Sequence, residues 1–181
     1  MNDKVKRLTF TALMAAMITI FTAYICHIPA GQNGGYIHFG DSLIYIGACL
    51  LPWPYALAAA AIGGGMADLL TAPIWAPATI IIKALISLPF SNKSGKIVTA
   101  RNVISTIVAF VISASGYALA EAFITFGFTK EAFTGLIAIV PVSVPGSCIQ
   151  SGGSAIIFIV LGLILDKMGF KKRFFPMEAD K

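Results

Sequence analysis

The sequence predicts an all-α integral membrane protein, a bundle of six transmembrane helices with both termini on the cytoplasmic side. The first observation is composition. Of the 181 residues, 57% are hydrophobic and 12% are charged, about half the charged fraction of an average soluble domain. The second is a series of six apolar segments separated by loops that contain proline, glycine or charge. The third is the clustering of lysine and arginine in the loops that this topology places in the cytoplasm.

The six segments follow from the length that a helix needs to cross a bilayer, about 20 residues. They are predicted to form one membrane domain, residues 1–181, with a glycine-rich loop (31–35) after the first helix. The second and fourth helices are short for full spans, which predicts that they are broken or packed inside the bundle. Residues 129–146, interrupted by Pro141 and Pro145, are interpreted as a re-entrant or surface segment. The predicted helices are 8–28, 38–51, 55–70, 77–90, 103–126 and 147–165.

The orientation follows from the basic residues. With the N-terminus inside, eleven of the thirteen Lys and Arg residues fall on the cytoplasmic side, whereas Lys130 falls outside and Lys83 within a span. This distribution is what the positive-inside rule requires of an N-in, C-in protein. Because these residues are explained as topology determinants, no nucleic-acid partner is expected.

Four ionisable residues interrupt the apolar segments: Asp41, Asp68, Lys83 and Glu121. A charge at the centre of a bilayer costs about 2.5–3.5 kcal/mol on insertion scales. Such groups persist only where they are paired, hydrated or required to hold a polar ligand. They are therefore the first candidates for a functional site.

The predicted topology places these four residues in the outer half of the bundle, together with His38 and Gln150. Tyr36 and Trp75 lie in the first and third loops, where their rings are positioned to stack on a flat ligand. The inner half has no comparable set, so there is no continuous polar path of the kind that a channel needs. The sequence therefore predicts an outward-facing polar pocket.

Structural alternatives remain open for several of these residues. Asp68 and Lys83 would neutralise each other as a structural ion pair, and Asp41 would cap the second helix. Gln150 would hydrogen-bond a neighbouring helix. Trp75 would be an ordinary aromatic residue of the membrane interface.

Ala12 and Ala16 lie four residues apart on one face of the first helix. Small residues at this spacing allow another helix to approach closely. The pattern is common in membrane helices and is weak when taken alone.

The sequence lacks the motifs of several catalytic classes. Ser94-Gly95-Lys96 is followed by Ile97 and has no upstream glycine, so it is not a phosphate-binding loop for ATP. No metal-ligand spacing and no nucleophile elbow are present. We therefore expect no enzymatic activity, no cofactor and no bound metal.

Three blocks carry a resemblance to a known family: HFGDS (38–42), MADLL (66–70) and APATIIIK (76–83). They resemble the substrate-binding S component of energy-coupling factor (ECF) vitamin transporters, in the branch that holds riboflavin-type and hydroxymethylpyrimidine-type S components. Size and helix number agree along essentially the whole chain. The Ala12-x-x-x-Ala16 pattern is similar to the docking motif of that family.

The resemblance implies a multi-pass protein of the bacterial cytoplasmic membrane that captures a vitamin or precursor outside. It would then dock on a transmembrane T component, driven by two ABC ATPases, and release the ligand inside. Loop 31–35 would act as a mobile gate. Asp41 and Asp68 would support the pocket. The ligand contacts that the resemblance implies are Tyr36, His38, Lys83, Glu121 and Gln150.

The substrate stays open at this point. Riboflavin, a thiamine or pyrimidine precursor, pyridoxine and a queuosine precursor are all flat heteroaromatic molecules with polar substituents. Two other functions also remain: a solitary transporter that works without ATPases, and a structural or assembly protein of the membrane that binds no ligand.

Overall fold

The computed structural model describes residues 3–25, 27–30 and 35–175. These residues form an all-α protein with one very small antiparallel hairpin, which confirms the all-α part of the predicted fold class. Most of the predicted gate, residues 31–34, lies outside the described residues.

Seven α-helices follow one another along the described chain. A π-helical turn, Phe21–Ile25, extends the first helix, and a 3₁₀ turn, Pro73–Trp75, precedes the fourth. Strands β1 and β2 lie between α1 and α2, where Ile28 pairs with Ile37 and Pro29 with Tyr36. The elements are α1 Asp3–Ile20, β1 Ile28–Pro29, β2 Tyr36–Ile37, α2 Asp41–Leu50, α3 Trp53–Thr71, α4 Ala76–Ser87, α5 Ala100–Phe126, α6 Lys130–Lys167 and α7 Phe170–Phe174.

Within the described residues, three helical stretches are long and apolar enough to cross a membrane: Asp3–Ile25, Ala100–Phe126 and Lys130–Lys167. Two of the remaining helices, α2 and α4, have 10 and 12 residues. At 1.5 Å per residue they are about 15 and 18 Å long, whereas the hydrocarbon core is about 30 Å thick. Every residue of α2 is buried, so this helix lies inside the bundle.

Helix α6 differs from the sequence expectation. Residues 130–146 join the predicted sixth helix in one continuous helix of 38 residues that contains both Pro141 and Pro145. Each proline removes one backbone hydrogen bond, but the first half of α6 is held by packing. Ala132 and Ile139 form a small core with alanines of α5. At about 57 Å, α6 is longer than a bilayer with its headgroups, about 40–45 Å, so it must tilt, bend or project.

Three consecutive glycines bring α3 against two neighbouring helices. A Cβ added at Gly63 would lie 2.8 Å from the Ala15 carbonyl oxygen of α1. A Cβ at Gly64 would lie 2.6 Å from Cγ of Lys83, and one at Gly65 would lie 2.5 Å from Cγ1 of Ile80. Contacts this short leave no room for a methyl group, so the glycines set the distance between α3 and its neighbours.

This packing predicts that Gly64→Ala destabilises the protein. The new methyl group would displace Lys83, and overpacking of a filled core costs about 1–3 kcal/mol. Thermal unfolding of the purified protein in detergent would measure the loss. Gly152→Ala in α6 is the matched control because a Cβ there meets no atom within 4 Å. Equal melting temperatures for the two variants would contradict the assignment of Gly64 to a tight interface.

Candidate functional site

A cavity of about 130 Å³ lies between the β1–β2 hairpin, the start of α4 and the facing sides of α5 and α6. One face of α6 supplies five of its lining residues, at positions 142–143, 146–147 and 150, which follow one another at about one helical turn. The described residues that line it are Ala30, Gly35, Tyr36, Ile37, His38, Asp68, Trp75, Tyr117, Glu121, Val142, Ser143, Gly146, Ser147 and Gln150.

The structure brings six of the eight predicted site residues together around this cavity. Asp41 and Lys83 do not line it and lie in the buried layer beside it. The six lining residues are Tyr36, His38, Asp68, Trp75, Glu121 and Gln150.

The buried layer is built on an ion pair. Nζ of Lys83 lies 2.6 Å from Oδ1 of Asp41, and the two side chains are 1% and 0% exposed. The other carboxylate oxygen of Asp41 accepts a hydrogen bond of 3.1 Å from Nε2 of Gln150. The lysine also lies 5.2 Å from the centre of the Tyr117 ring. Helices α2, α4, α5 and α6 therefore meet at one buried cation.

This pairing corrects one alternative drawn from the sequence. Lys83 pairs with Asp41 and not with Asp68. The predicted topology places both carboxylates in the same half of the bundle as the lysine. Only the packing of α2 against α4 decides which of them pairs with it. The capping alternative for Asp41 is also wrong, because the N-cap of α2 is Gly40 and no side chain caps this helix end. Asp41 instead neutralises a buried ammonium group.

Asp68 instead connects α3 to the hairpin and to α4. Its two carboxylate oxygens accept hydrogen bonds from the hydroxyls of Tyr36 and Thr79. Thr79 also lies 3.0 Å from the Tyr117 hydroxyl. Burial and the adjacent Asp68 carboxylate raise the pKa of the Tyr36 phenol, so the phenol stays protonated and donates a hydrogen bond to Asp68. Tyr36 is held further by His27, whose ring stacks on it at 3.9 Å.

His38 is fixed by two hydrogen bonds. Its backbone N–H donates to Oε1 of Gln150 at 3.4 Å, and its Nδ1 accepts from the Gly40 N–H at 3.1 Å. Because Nδ1 acts as an acceptor, the imidazole is neutral and its proton lies on Nε2. The same contacts set the orientation of the Gln150 amide, which donates to Asp41 from its other end.

Glu121 lies on α5 and is 9% exposed. The Ser143 hydroxyl of α6 donates a hydrogen bond to its Oε2. Among the described residues, this is the one hydrogen bond that the carboxylate receives, so its other oxygen is available at the cavity.

The sequence analysis missed four residues of this network: Thr79, Tyr117, Ser143 and Ser147. Tyr117 lies one helical turn before Glu121, so the two side chains lie on the same face of α5. This spacing in the sequence could have identified Tyr117 as a site residue. Thr79 stood inside a recognised block without an assigned role. Ser143 was missed because residues 129–146 were separated from the sixth helix, whereas α6 is continuous there. Ser147 stood at the start of the predicted sixth helix without an assigned role.

The predicted docking residues lie on α1, away from the cavity. Ala12 and Ala16 are both exposed, whereas Ala15 is buried against α3. Their surroundings on the exposed side of α1 are apolar, since Leu8, Leu13 and Ile20 are each about half exposed. The small side chains of the two alanines thus leave a shallow depression in an apolar surface.

The model of one protein family, described as the ECF-type riboflavin transporter S component, matches residues 2–167. The chain belongs to this family. The riboflavin- and hydroxymethylpyrimidine-type branch expected from the sequence blocks is thus confirmed. No curated protein matches the chain significantly.

Membership in this family assigns the chain its general role. An ECF S component is a substrate-binding subunit of a membrane transporter and not an enzyme. The predictions of a transport role, a membrane setting and no catalytic activity are confirmed. The apolar helices long enough to span a membrane agree with this role.

The buried ion pair predicts a large loss of stability for Lys83→Met in this S component. Removing the ammonium leaves the Asp41 carboxylate buried and unpaired, which costs about 3–5 kcal/mol. Detergent-solubilised protein would melt at a correspondingly lower temperature. The double variant Asp41→Asn with Lys83→Met removes both charges and should regain most of the loss. A double variant as unstable as the single one would show that the two groups are not coupled.

Proposed function

We propose that this S component captures a flat heteroaromatic vitamin or vitamin precursor in the cavity between the hairpin, α5 and α6. The observation that carries the proposal is the composition of the cavity wall. Aromatic rings of Tyr36, Trp75 and Tyr117 lie beside the carboxylates of Asp68 and Glu121. Rings supply stacking area for a planar ligand, and the polar groups fix its orientation.

In this proposal the predicted site residues divide into two roles. Asp41 and Lys83 support the wall from the buried layer, because they are paired with each other and do not reach the cavity. The remaining residues contact the ligand: Tyr36, His38, Asp68, Trp75, Glu121 and Gln150. Riboflavin is the first candidate ligand, since the family description names it.

The membrane arrangement is part of the proposal. Six helices would cross or enter the bilayer, with both termini in the cytoplasm and the cavity open to the outside of the bacterial cell. The support is the positive-inside distribution of Lys and Arg.

Transport would require partners. We propose that α1 docks on a transmembrane T component powered by two ABC ATPases. The support is the exposure of Ala12 and Ala16 within an apolar surface, where two small residues allow close approach of another helix.

A thermal-shift screen of the purified protein tests the binding role. The panel would hold riboflavin, thiamine, hydroxymethylpyrimidine, pyridoxine and queuosine precursors. A ligand present at 100 times its dissociation constant adds about 2.7 kcal/mol to the stability of the folded state. One clear stabilising compound is the expected result. No stabilisation by any compound would contradict the proposal and favour a structural role.

The docking role predicts that Ala12→Trp abolishes uptake and leaves ligand binding unchanged. The indole would keep a partner helix at a distance while remaining outside the packed core. Uptake in cells that contain T component and ATPases would be measured beside binding to the purified protein. Leu13→Trp is the control, since Leu13 is 52% exposed and points about 100° away around the helix. Loss of binding in Ala12→Trp would instead indicate internal packing, and uptake without T component and ATPases would indicate a solitary transporter.

A further inference from the structure

The charges around the cavity do not balance. The ammonium of Lys83 is neutralised by Asp41 in the buried layer, and the imidazole of His38 is neutral. The described residues that line the cavity include no lysine and no arginine. Two carboxylates remain, those of Asp68 and Glu121, and both face the cavity.

The two carboxylates differ in what they can offer a ligand. Asp68 already accepts hydrogen bonds at both oxygens, from Tyr36 and Thr79. Glu121 accepts one at Oε2, from Ser143, and its Oε1 has no hydrogen bond from the described residues. Among the described lining residues, Glu121 is therefore the strongest acceptor that a bound molecule can use.

Burial makes this acceptor selective. Glu121 is 9% exposed, so little water is present to screen its charge, and charge–charge interactions strengthen as the effective dielectric falls. A ligand N–H or O–H group at Oε1 forms a charge-assisted hydrogen bond, which is about twice as strong as a neutral one. A phosphate or carboxylate group in the same cavity is repelled and brings no donor.

We propose, on the basis of the function proposed above, that Glu121 makes this S component selective for the charge of its ligand. The cavity accepts a neutral or cationic ring that donates an N–H or O–H group to Oε1 of Glu121. It rejects the phosphorylated or carboxylated form of the same ring.

The test compares matched ligands on the purified full chain in detergent. Dissociation constants would be measured for riboflavin, thiamine and pyridoxine and for the monophosphate of each. The variants are Glu121→Gln, which keeps the size of the side chain and its bond to Ser143, and the control Glu131→Gln at the exposed start of α6. Thermal unfolding without ligand would check that each variant is folded.

For the ligand that binds, we expect the wild type to prefer the unphosphorylated form by more than tenfold. Glu121→Gln should reduce this ratio at least threefold, and Glu131→Gln should leave it unchanged. A purely structural role of Glu121 would weaken both forms equally and leave the ratio unchanged, which would overturn the inference.

Failure of the inference and failure of the proposed function give different results. Equal or tighter binding of a monophosphate by the wild type would overturn the charge selection, although the protein would still be a ligand-binding subunit. No binding of any of the six compounds would overturn both for these ligand families. The preference and its reduction in Glu121→Gln together would support the inference.

Discussion

The buried pair between Lys83 and Asp41 is the interaction on which the rest of the site depends. Each group alone would carry an unpaired charge into the interior of a bundle that is itself surrounded by lipid. At 2.6 Å, with both side chains almost fully buried, each is stable only while the other is present. The pair therefore fixes α2 against α4, and Gln150 extends the connection to α6. An apolar contact of the same size would not specify which turn of α2 faces which turn of α4.

A second set of hydrogen bonds connects these helices to the hairpin at the mouth of the cavity. Asp68 holds Thr79 on α4 and Tyr36 on the hairpin, so the hairpin is attached to the same helices that the ion pair positions. The α3 glycines make the approach of these helices possible, since Gly64 leaves the space that the Lys83 side chain occupies. The cavity wall is thus rigid on the side of α3 and α4. On the opposite side, α6 lacks two backbone hydrogen bonds at Pro141 and Pro145, which adjoin the lining residues Val142 and Gly146.

The sequence identified functional candidates where burying a charged side chain in lipid costs free energy. Asp68, Glu121 and the Lys83–Asp41 pair could be found as functional candidates because a charge in an apolar segment needs a reason. The sequence could not show which of these charged residues form a pair, because pairing depends on the rotation and depth of each helix. The start of α6 was missed for another reason. Pro141 and Pro145 weaken a helix in general, but here packing against α5 outweighs the loss, and Ser143 was excluded from the site with them. The apolar composition was sufficient to predict an all-α membrane protein.

Helix α1 connects the proposed docking surface at Ala12 and Ala16 to the hairpin at the cavity. Its middle carries Ala12 and Ala16 on an exposed apolar face, and its end passes through the π-helical turn Phe21–Ile25 toward the hairpin. A π turn is rare and often occurs at functional sites. A partner bound at the alanines would act on the same rigid helix that leads into the hairpin carrying Tyr36. In the proposed cycle, release of the ligand would begin with loss of the hydrogen bond between Tyr36 and Asp68, while the ion pair beneath stays intact. Opening of the cavity on the hairpin side would leave unchanged the buried charge balance between Lys83 and Asp41 that stabilises the bundle.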